Sequence, residues 1–176
     1  MMTSETGLTP STAQVADRLA IQDVLHLHCR GLDRLDAQVI KSAYWPEADV
    51  DYGSFKGNAH QFAELVVGAL GQHYELTRHC LSNTLVAFAG DTARSESCVT
   101  AGHLLVGARE EMLFYGRYLD RLQQRDGQWK ILHRQVVMDW SKRIPVQDER
   151  NSAAFADLAK GGHGADDPLY AFLHIQ

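Results

Sequence analysis

The second half of the sequence consists of four long segments that favour β-strands, with short turn signals between them. The segments cover residues 76–88, 93–106, 111–124 and 128–140. Between the last two, Arg125-Asp126-Gly127 is a strong hairpin signal. Segments with apolar residues at helical spacing precede these strands. Helices followed by a run of antiparallel strands predict an α+β fold and argue against an alternating α/β sheet.

Three helices are predicted ahead of the strands. The first begins at a cap on Ser11 or Thr12. The second is capped by Asp36 and runs over residues 37–45, where Pro46 stops it. After a short strand, a third helix is predicted from residue 58 to residue 70. Its apolar face comprises Phe62, Leu65, Val66 and Ala69.

The predicted elements can assemble in one domain. Four strongly twisted antiparallel strands can curl around three helices into a cone-shaped half-barrel. The interior of such a cone is a natural site for a small molecule. We therefore expect residues 1–144 to form a single domain that starts with a frayed leader of ten residues. Residues 145–176, with a short helix near 153–160, are expected to form a C-terminal tail that covers the pocket or a neighbouring subunit.

The composition of the 176 residues argues against several classes of protein. A net charge of −5 provides no broad basic surface for nucleic acid or an anionic membrane. No apolar stretch is long enough to span a bilayer, and the N-terminus shows no secretory signal. Cys29, Cys80 and Cys98 cannot all pair, which favours a reducing compartment. We therefore expect a cytoplasmic protein without nucleic-acid or membrane partners.

Three polar residues are candidates for a buried site. Asp33 lies where the first helix should give way to a turn, so its carboxylate can point inward. Alternation along the first long strand places His79 on one face with three other residues: Leu81, Asn83 and Leu85. On the last strand, Arg134 shares a face with an apolar set: Leu132, Val136 and Met138. The structural alternatives are a helix cap, a core histidine and a buried Arg–Asp pair.

These residues fit one chemical scheme. Asp33 accepts the Nδ1–H of His79, which orients the ring and stabilises the imidazolium that forms on proton abstraction. The other ring nitrogen removes a proton from a bound substrate. Arg134 or Tyr118 stabilises the negative charge that develops on a leaving group or carbonyl oxygen. The scheme requires no metal and no organic cofactor. The sequence also lacks the Gly-x-Gly-x-x-Gly, P-loop and Gly-x-Ser-x-Gly motifs.

Four stretches carry a resemblance to a known family: Ala20-Ile21-Gln22-Asp23, Gly31-Leu32-Asp33-Arg34, Tyr44-Trp45-Pro46-Glu47-Ala48-Asp49 and Arg125-Asp126-Gly127-Gln128-Trp129-Lys130-Ile131. Over roughly residues 15–140 the chain resembles the SnoaL-like branch of the nuclear transport factor 2 superfamily. The pattern is similar to that of scytalone dehydratase, bile-acid dehydratases and hexachlorocyclohexane dehydrochlorinase. These enzymes are cofactor-free lyases built on a cone, and the resemblance implies the same fold here.

The resemblance also implies roles for particular residues. The Asp–His base of those enzymes falls on Asp33 and His79, and the active-site arginine of the dehydrochlorinase falls on Arg134. Its active-site lysine and a pocket tryptophan fall near His28 and Val50, which argues against halide elimination. Candidates for the tyrosines and second histidine of scytalone dehydratase are Tyr52, His103 and Tyr118. The complete set of expected substrate-binding residues is His28, Tyr52, Asn83, His103, Tyr118 and Met138.

The expected function is that of a cofactor-independent lyase acting on a small hydrophobic, aromatic or polycyclic hydroxylated compound. Its reaction would be dehydration, or a retro-aldol C–C cleavage that releases a small aldehyde. The alternatives are an isomerase or cyclase with the same base, and a non-catalytic binding module. A homo-oligomer is also expected, a trimer before a dimer. Its contact face would contain Trp129, Ile131 and Val137.

Overall fold

Helices pack inside a curved, open sheet of six strands in this computed structural model, which describes residues 10–173. The predicted leader therefore lies, except for its last residue, outside the described range. The first half contains α1 (Thr12–Arg34), α2 (Ala37–Ser42), β1 (Tyr44–Asp51), β2 (Lys56–Asn58) and α3 (Ala59–His73). The second half contains β3 (Tyr74–Ala89), β4 (Thr92–Leu105), β5 (Glu110–Arg125) and β6 (Gln128–Pro145). The predicted α+β cone is confirmed.

The sheet has the strand order β2-β1-β6-β5-β4-β3. Strands β3 to β6 form an antiparallel meander, whereas β1 runs parallel to β6 and antiparallel to β2. The predicted hairpin between β5 and β6 is present, with positive φ angles of 49° at Asp126 and 77° at Gly127. Such a two-residue turn matches the right-handed twist of the strands that it joins.

The core lies between the helices and the concave face of the sheet. Ile21, Leu25 and Leu32 of α1 are buried in one apolar cluster with Trp129 and Ile131 of β6. The end of α1 packs closely against α2. A Cβ at Gly31 would lie 2.5 Å from Cγ1 of Ile40, so only glycine lets α2 approach this closely. This packing fixes the last turn of α1 against the rest of the cone.

Two predicted helix details are wrong. The second helix ends at Ser42, and Tyr44, Trp45 and Pro46 belong to β1. Proline is accommodated in this strand because the β1–β6 register shifts between Tyr44 and Asp49. On α3 the buried residues are Ala59, Phe62 and Ala63, while two predicted core residues, Leu65 and Ala69, are exposed. The stripe that faces the core is therefore rotated from the predicted one.

A β-bulge in β3 overturns the prediction of strict alternation. The β3–β4 register shifts between Ser82 and Thr84, and Asn83 has a φ of 22°. The extra residue inverts the inward and outward positions beyond it. As a result Val86 is buried, whereas Leu85, predicted on the face of His79, is 70% exposed.

A second register shift changes the predicted contact face of the oligomer. The β5–β6 register shifts between Arg121 and Leu122, opposite residues 131–133 of β6. Trp129 and Ile131 lie before the shift and are buried in the core. They cannot contact another subunit, so the predicted face is wrong. The oligomeric state itself stays a prediction.

The C-terminal tail contacts the end of α1. The helix predicted near 153–160 is reduced to a 3-10 turn, Ala153–Phe155, which is followed by a second turn, Gly164–Asp166, and by α4 (Pro168–Leu173). Arg34 forms an ion pair of 2.5 Å with Asp167, and the hydroxyl of Tyr170 donates to Asp36 at 2.6 Å. Both contacts lie close in sequence to Asp33.

Candidate active site

Asp33 lies in the last turn of α1 with its carboxylate turned toward β3. Oδ1 lies 2.7 Å from Nδ1 of His79 and accepts a hydrogen bond of 3.1 Å from the Thr77 hydroxyl. Oδ2 accepts the backbone N–H of His79 at 2.9 Å. Asp36, not Asp33, caps α2 by accepting from the backbone of Gln38 and Val39. The helix-cap alternative for Asp33 is therefore wrong, and the predicted Asp33–His79 contact is present.

The contact with Asp33 fixes the orientation of the His79 ring. Because a carboxylate accepts hydrogen bonds, Nδ1 of His79 carries a hydrogen in this arrangement. Within residues 10–173, Nε2 of His79 has no hydrogen-bond partner. The ring of His103 stands edge-on to that of His79, with centroids 5.3 Å apart. Burial, together with the nearby His79, lowers the pKa of His103 to about 4, so His103 is neutral at pH 7.

Arg134 is fully buried, with 0% of the residue exposed, and pairs with Asp120 of β5. Its Nε and Nη2 donate to the two oxygens of Asp120 at 2.7 and 2.8 Å. Burial opposes the charge, but Asp120 holds the pKa of Arg134 well above its usual value. The remaining nitrogen, Nη1, has no hydrogen-bond partner in the described part of the chain. Arg134 therefore forms the buried pair and also retains a free donor.

Asp120 was missed in the sequence although a local signal was available. Alternation along β5 places Asp120 on one face with Tyr118 and Leu122, and all three are buried. The guanidinium of Arg134 lies 4.1 Å from the centroid of the Tyr118 ring. This cation–π contact holds Tyr118 beside the ion pair. Burial raises the pKa of Tyr118 well above 10, so its hydroxyl keeps its proton.

His28 lies between two tyrosine hydroxyls in the interior. Its Nδ1 is 3.1 Å from the hydroxyl of Tyr44, and its Nε2 is 3.0 Å from that of Tyr52. Burial and the nearby positive charge of Arg134 lower the pKa of His28 well below 6.5. Tyr52 also stacks on Phe62 at 4.1 Å between ring centroids. Tyr44 was missed because the sequence placed it in a helix.

Two expected pocket residues do not join this group. Asn83 occupies the β3 bulge and is exposed, because the extra residue turns it away from the inner face. Met138, in the second half of β6, is 61% exposed. The remaining candidates form two connected parts of one interior. One contains Asp33, His79 and His103, and the other surrounds His28 and Arg134.

Among residues 10–173, no cluster of three or more His, Cys, Asp or Glu side chains is arranged to hold a metal ion. None of the described helices is long and apolar enough to cross a membrane.

Comparison with known families agrees with this fold. The model of the SnoaL-like domain matches residues 13–135. The chain belongs to the SnoaL-like family. Uncharacterized proteins related to this chain occur in Mycobacterium bovis and Mycobacterium tuberculosis. Each is 29% identical over 129 residues, which covers 70% of this chain and 86% of the relative.

Solved structures show the same fold. A scytalone dehydratase-like protein from Novosphingobium aromaticivorans aligns with a TM-score of 0.68 and 22% identity over 76% of this chain and 91% of its own. A hexachlorocyclohexane dehydrochlorinase from Novosphingobium barchaimii aligns with a TM-score of 0.67 and 23% identity over 76% of this chain and 92% of its own. At these identities the likeness establishes the shared cone, and the reaction must be argued from the site.

Proposed function

We propose that this SnoaL-like protein is a cofactor-independent lyase that acts on a small hydrophobic, aromatic or polycyclic hydroxylated compound. Asp33 and His79 would be its general base. The observation that carries the proposal is the 2.7 Å contact between Oδ1 of Asp33 and Nδ1 of His79, with Nε2 of His79 left without a partner in residues 10–173. A histidine base needs this arrangement, with one nitrogen bound to a carboxylate and the other available.

The pair supports proton removal by a simple route. Nε2 of His79 accepts a proton from the substrate, and Asp33 stabilises the imidazolium that results. In a dehydration the proton comes from a carbon next to the one that bears the hydroxyl; a C=C bond forms as the C–O bond breaks, and the imidazolium returns its proton to the departing oxygen to give water. In a retro-aldol cleavage the proton comes from a hydroxyl; the aldehyde C=O forms as the C–C bond breaks, and the enolate that remains takes up the proton. Both reactions use the same base.

Arg134 and Tyr118 would stabilise the negative charge that develops on the substrate. Asp120 uses two of the three guanidinium nitrogens, so Nη1 is the donor available to an oxygen. A preorganised buried donor of this kind is effective because no solvent has to reorganise around it. Arg134 thus has a structural contact and a separate catalytic role in this scheme.

The apolar surroundings support a hydrophobic substrate. Tyr118 belongs to a buried cluster with Cys29 and Val99, against which further apolar side chains pack: Leu81, Phe114 and Val136. Planar or branched hydrocarbon fits such surroundings better than a strongly hydrated molecule. All three cysteines are free thiols, in keeping with the reducing cytoplasm as the location that we propose.

An isomerase or cyclase would use the same base without a leaving group, and the shared Asp33–His79 geometry keeps it as the second candidate. A screen of aromatic diols and hydroxylated polycyclic compounds with chelated, dialysed protein tests both. Mass spectrometry separates them, because the product of the lyase loses mass and an isomerised product does not. We expect mass loss without added metal. Activity that appears only after one metal is restored would contradict the proposal.

A further inference from the structure

His28 has two hydrogen-bonding nitrogens, and a tyrosine hydroxyl lies at each. Nδ1 is 3.1 Å from the Tyr44 hydroxyl, and Nε2 is 3.0 Å from the Tyr52 hydroxyl. The histidine is completely buried. Tyr44, His28 and Tyr52 are thus linked by two hydrogen bonds, and we call this set of three side chains the relay.

The imidazole of His28 carries one hydrogen, not two. Burial first, and then the positive charge of Arg134, lowers the pKa of His28 well below 6.5, and no carboxylate contacts the ring within residues 10–173. A neutral imidazole has one nitrogen that donates and one that accepts. The position of that hydrogen therefore decides what both tyrosines do.

The surroundings of Tyr44 determine which ring nitrogen of His28 carries the hydrogen. It is buried, and its hydroxyl has no hydrogen-bond partner other than Nδ1 of His28 in the described part of the chain. A hydrogen on Nδ1 would leave the hydrogen of the Tyr44 hydroxyl buried without an acceptor, which is costly. Tyr44 therefore donates to Nδ1, and the ring hydrogen of His28 is on Nε2.

The hydrogen on Nε2 of His28 determines the orientation of the Tyr52 hydroxyl. Nε2–H of His28 donates to the oxygen of Tyr52, so the hydroxyl hydrogen of Tyr52 must point elsewhere. Arg134 lies near Tyr52, but its guanidinium cannot accept this hydrogen, because arginine has no acceptor atom. The ring of Tyr52 is held in place by its stack on Phe62 and by the backbone hydrogen bond from Tyr52 to Phe55. Tyr52 is only partly buried, unlike Tyr44, so its hydroxyl hydrogen can be directed to a ligand.

We propose that His28 is a positioning residue that holds Tyr52 as a hydrogen-bond donor to a ligand oxygen. The inference rests on the proposed function in taking that oxygen to be the carbonyl or leaving hydroxyl of the lyase substrate. The ligand group at this point must accept a hydrogen bond. Carbonyl, hydroxyl and ether oxygens satisfy this condition, whereas an ammonium group does not.

Nitrogen-15 NMR of the full chain tests the relay without any ligand. The signals of His28 are assigned by their loss in His28→Gln. At pH 7 we expect the neutral ring with hydrogen on Nε2, and we expect this N–H proton to shift upfield in Tyr52→Phe, which removes its acceptor. A hydrogen on Nδ1, or a doubly protonated ring, would overturn the proposal, because Tyr52 would then not be oriented by Nε2–H.

Kinetics with a substrate from the lyase screen provide the second test. The side-chain nitrogen of glutamine can replace Nε2 of histidine, whereas the shorter asparagine cannot reach Tyr52. Tyr52→Phe and His28→Asn should each lower kcat, by about 10²-fold for the lost donor, with little change in KM. His28→Gln should keep most of the wild-type kcat. In a Tyr52→Phe background, His28→Asn should lower kcat little further. Equal losses in both backgrounds would contradict the relay. Since the NMR result needs no turnover, an inactive protein would contradict the lyase proposal alone.

Discussion

Asp33 binds His79 twice, through Nδ1 of the ring at 2.7 Å and through the backbone N–H at 2.9 Å. The carboxylate therefore fixes both the ring and the strand that carries it. A second Asp–His contact of the same length joins Asp49 and His133. Burial distinguishes the two pairs. The side chains of His79 and Asp33 are 8% and 12% exposed, whereas those of His133 and Asp49 are 27% and 55% exposed.

The buried pair of Arg134 and Asp120 should dominate the stability of the β5–β6 interior. Asp120→Asn leaves the guanidinium without its counter-charge, and we expect a loss of about 3–5 kcal/mol in the free energy of unfolding. The matched control is Glu96→Gln, which breaks the partly exposed ion pair with Arg117. That change should cost less than about 1 kcal/mol. Urea denaturation measures both, and equal losses would contradict the assignment.

The stability of the protein should fall in acid partly because of His103. Burial first, and then the nearby His79, lowers the pKa of His103 to about 4 in the folded state, against about 6.5 in an unfolded chain. Between these values the unfolded state binds a proton that the folded state does not, so the free energy of unfolding decreases as the pH falls. The lowered pKa of His103 decreases the free energy of unfolding by roughly 3 kcal/mol over this pH range. His103→Gln should flatten the pH dependence between pH 6.5 and 4, and parallel curves would refute this.

The bulge at Asn83 gives a test of backbone conformation. Its φ of 22° is unfavourable for side chains branched at Cβ. Asn83→Gly should leave the free energy of unfolding within about 0.5 kcal/mol. Asn83→Val should lower it by about 1–2 kcal/mol. If thermal denaturation gave the same stability for both variants, strict alternation along β3 would be the better description.

The sequence predicted the order of helices and strands because helical and strand periodicities are local properties of the chain. The bulges in β3 and β6 were not predictable in the same way, since an extra residue is defined only against the partner strand. One inserted residue at Asn83 was enough to reverse the side of Leu85. The same effect separated Trp129 and Ile131 from the surface on which they were expected.

The candidate site was predicted in part for a similar reason. Asp33 and His79 could be paired because both residue types suit one chemical role, and their contact is present. The partner of Arg134 comes from another strand, so its identity depended on sheet register. Tyr44 was missed because the second helix was predicted to extend past it. The catalytic roles of Asp33, His79 and Arg134 stay predictions.

A homo-oligomer remains our expectation, a trimer before a dimer, with a contact surface different from the one first predicted. Trp140 is 57% exposed and stacks on Tyr115 at 4.6 Å between ring centroids. An aromatic pair with one exposed ring is a suitable contact with another subunit. Light scattering should show an oligomer that dissociates in Trp140→Glu. Leu65→Glu, on the exposed side of α3, should leave the oligomer intact. A monomeric wild-type protein at micromolar concentration would contradict the expectation.

Asp33 and His79 should act as one unit in turnover. Asp33→Asn should lower kcat by a factor comparable to the loss of the base, because the amide favours the wrong imidazole tautomer. The double variant Asp33→Asn/His79→Ala should be little slower than either single variant. Melting temperatures provide the control. A merely structural pair predicts destabilised variants, by roughly 1–3 kcal/mol, that retain turnover when folded.

The most direct test compares metal-free wild-type protein, His79→Ala and His133→Ala on a hydroxylated aromatic substrate from the screen. His133→Ala removes the exposed histidine of the second Asp–His contact and should keep the wild-type rate. His79→Ala should remain folded and lose about 10²- to 10⁴-fold in kcat, as expected for removal of a general base. Full turnover by folded His79→Ala would contradict the assignment of the base.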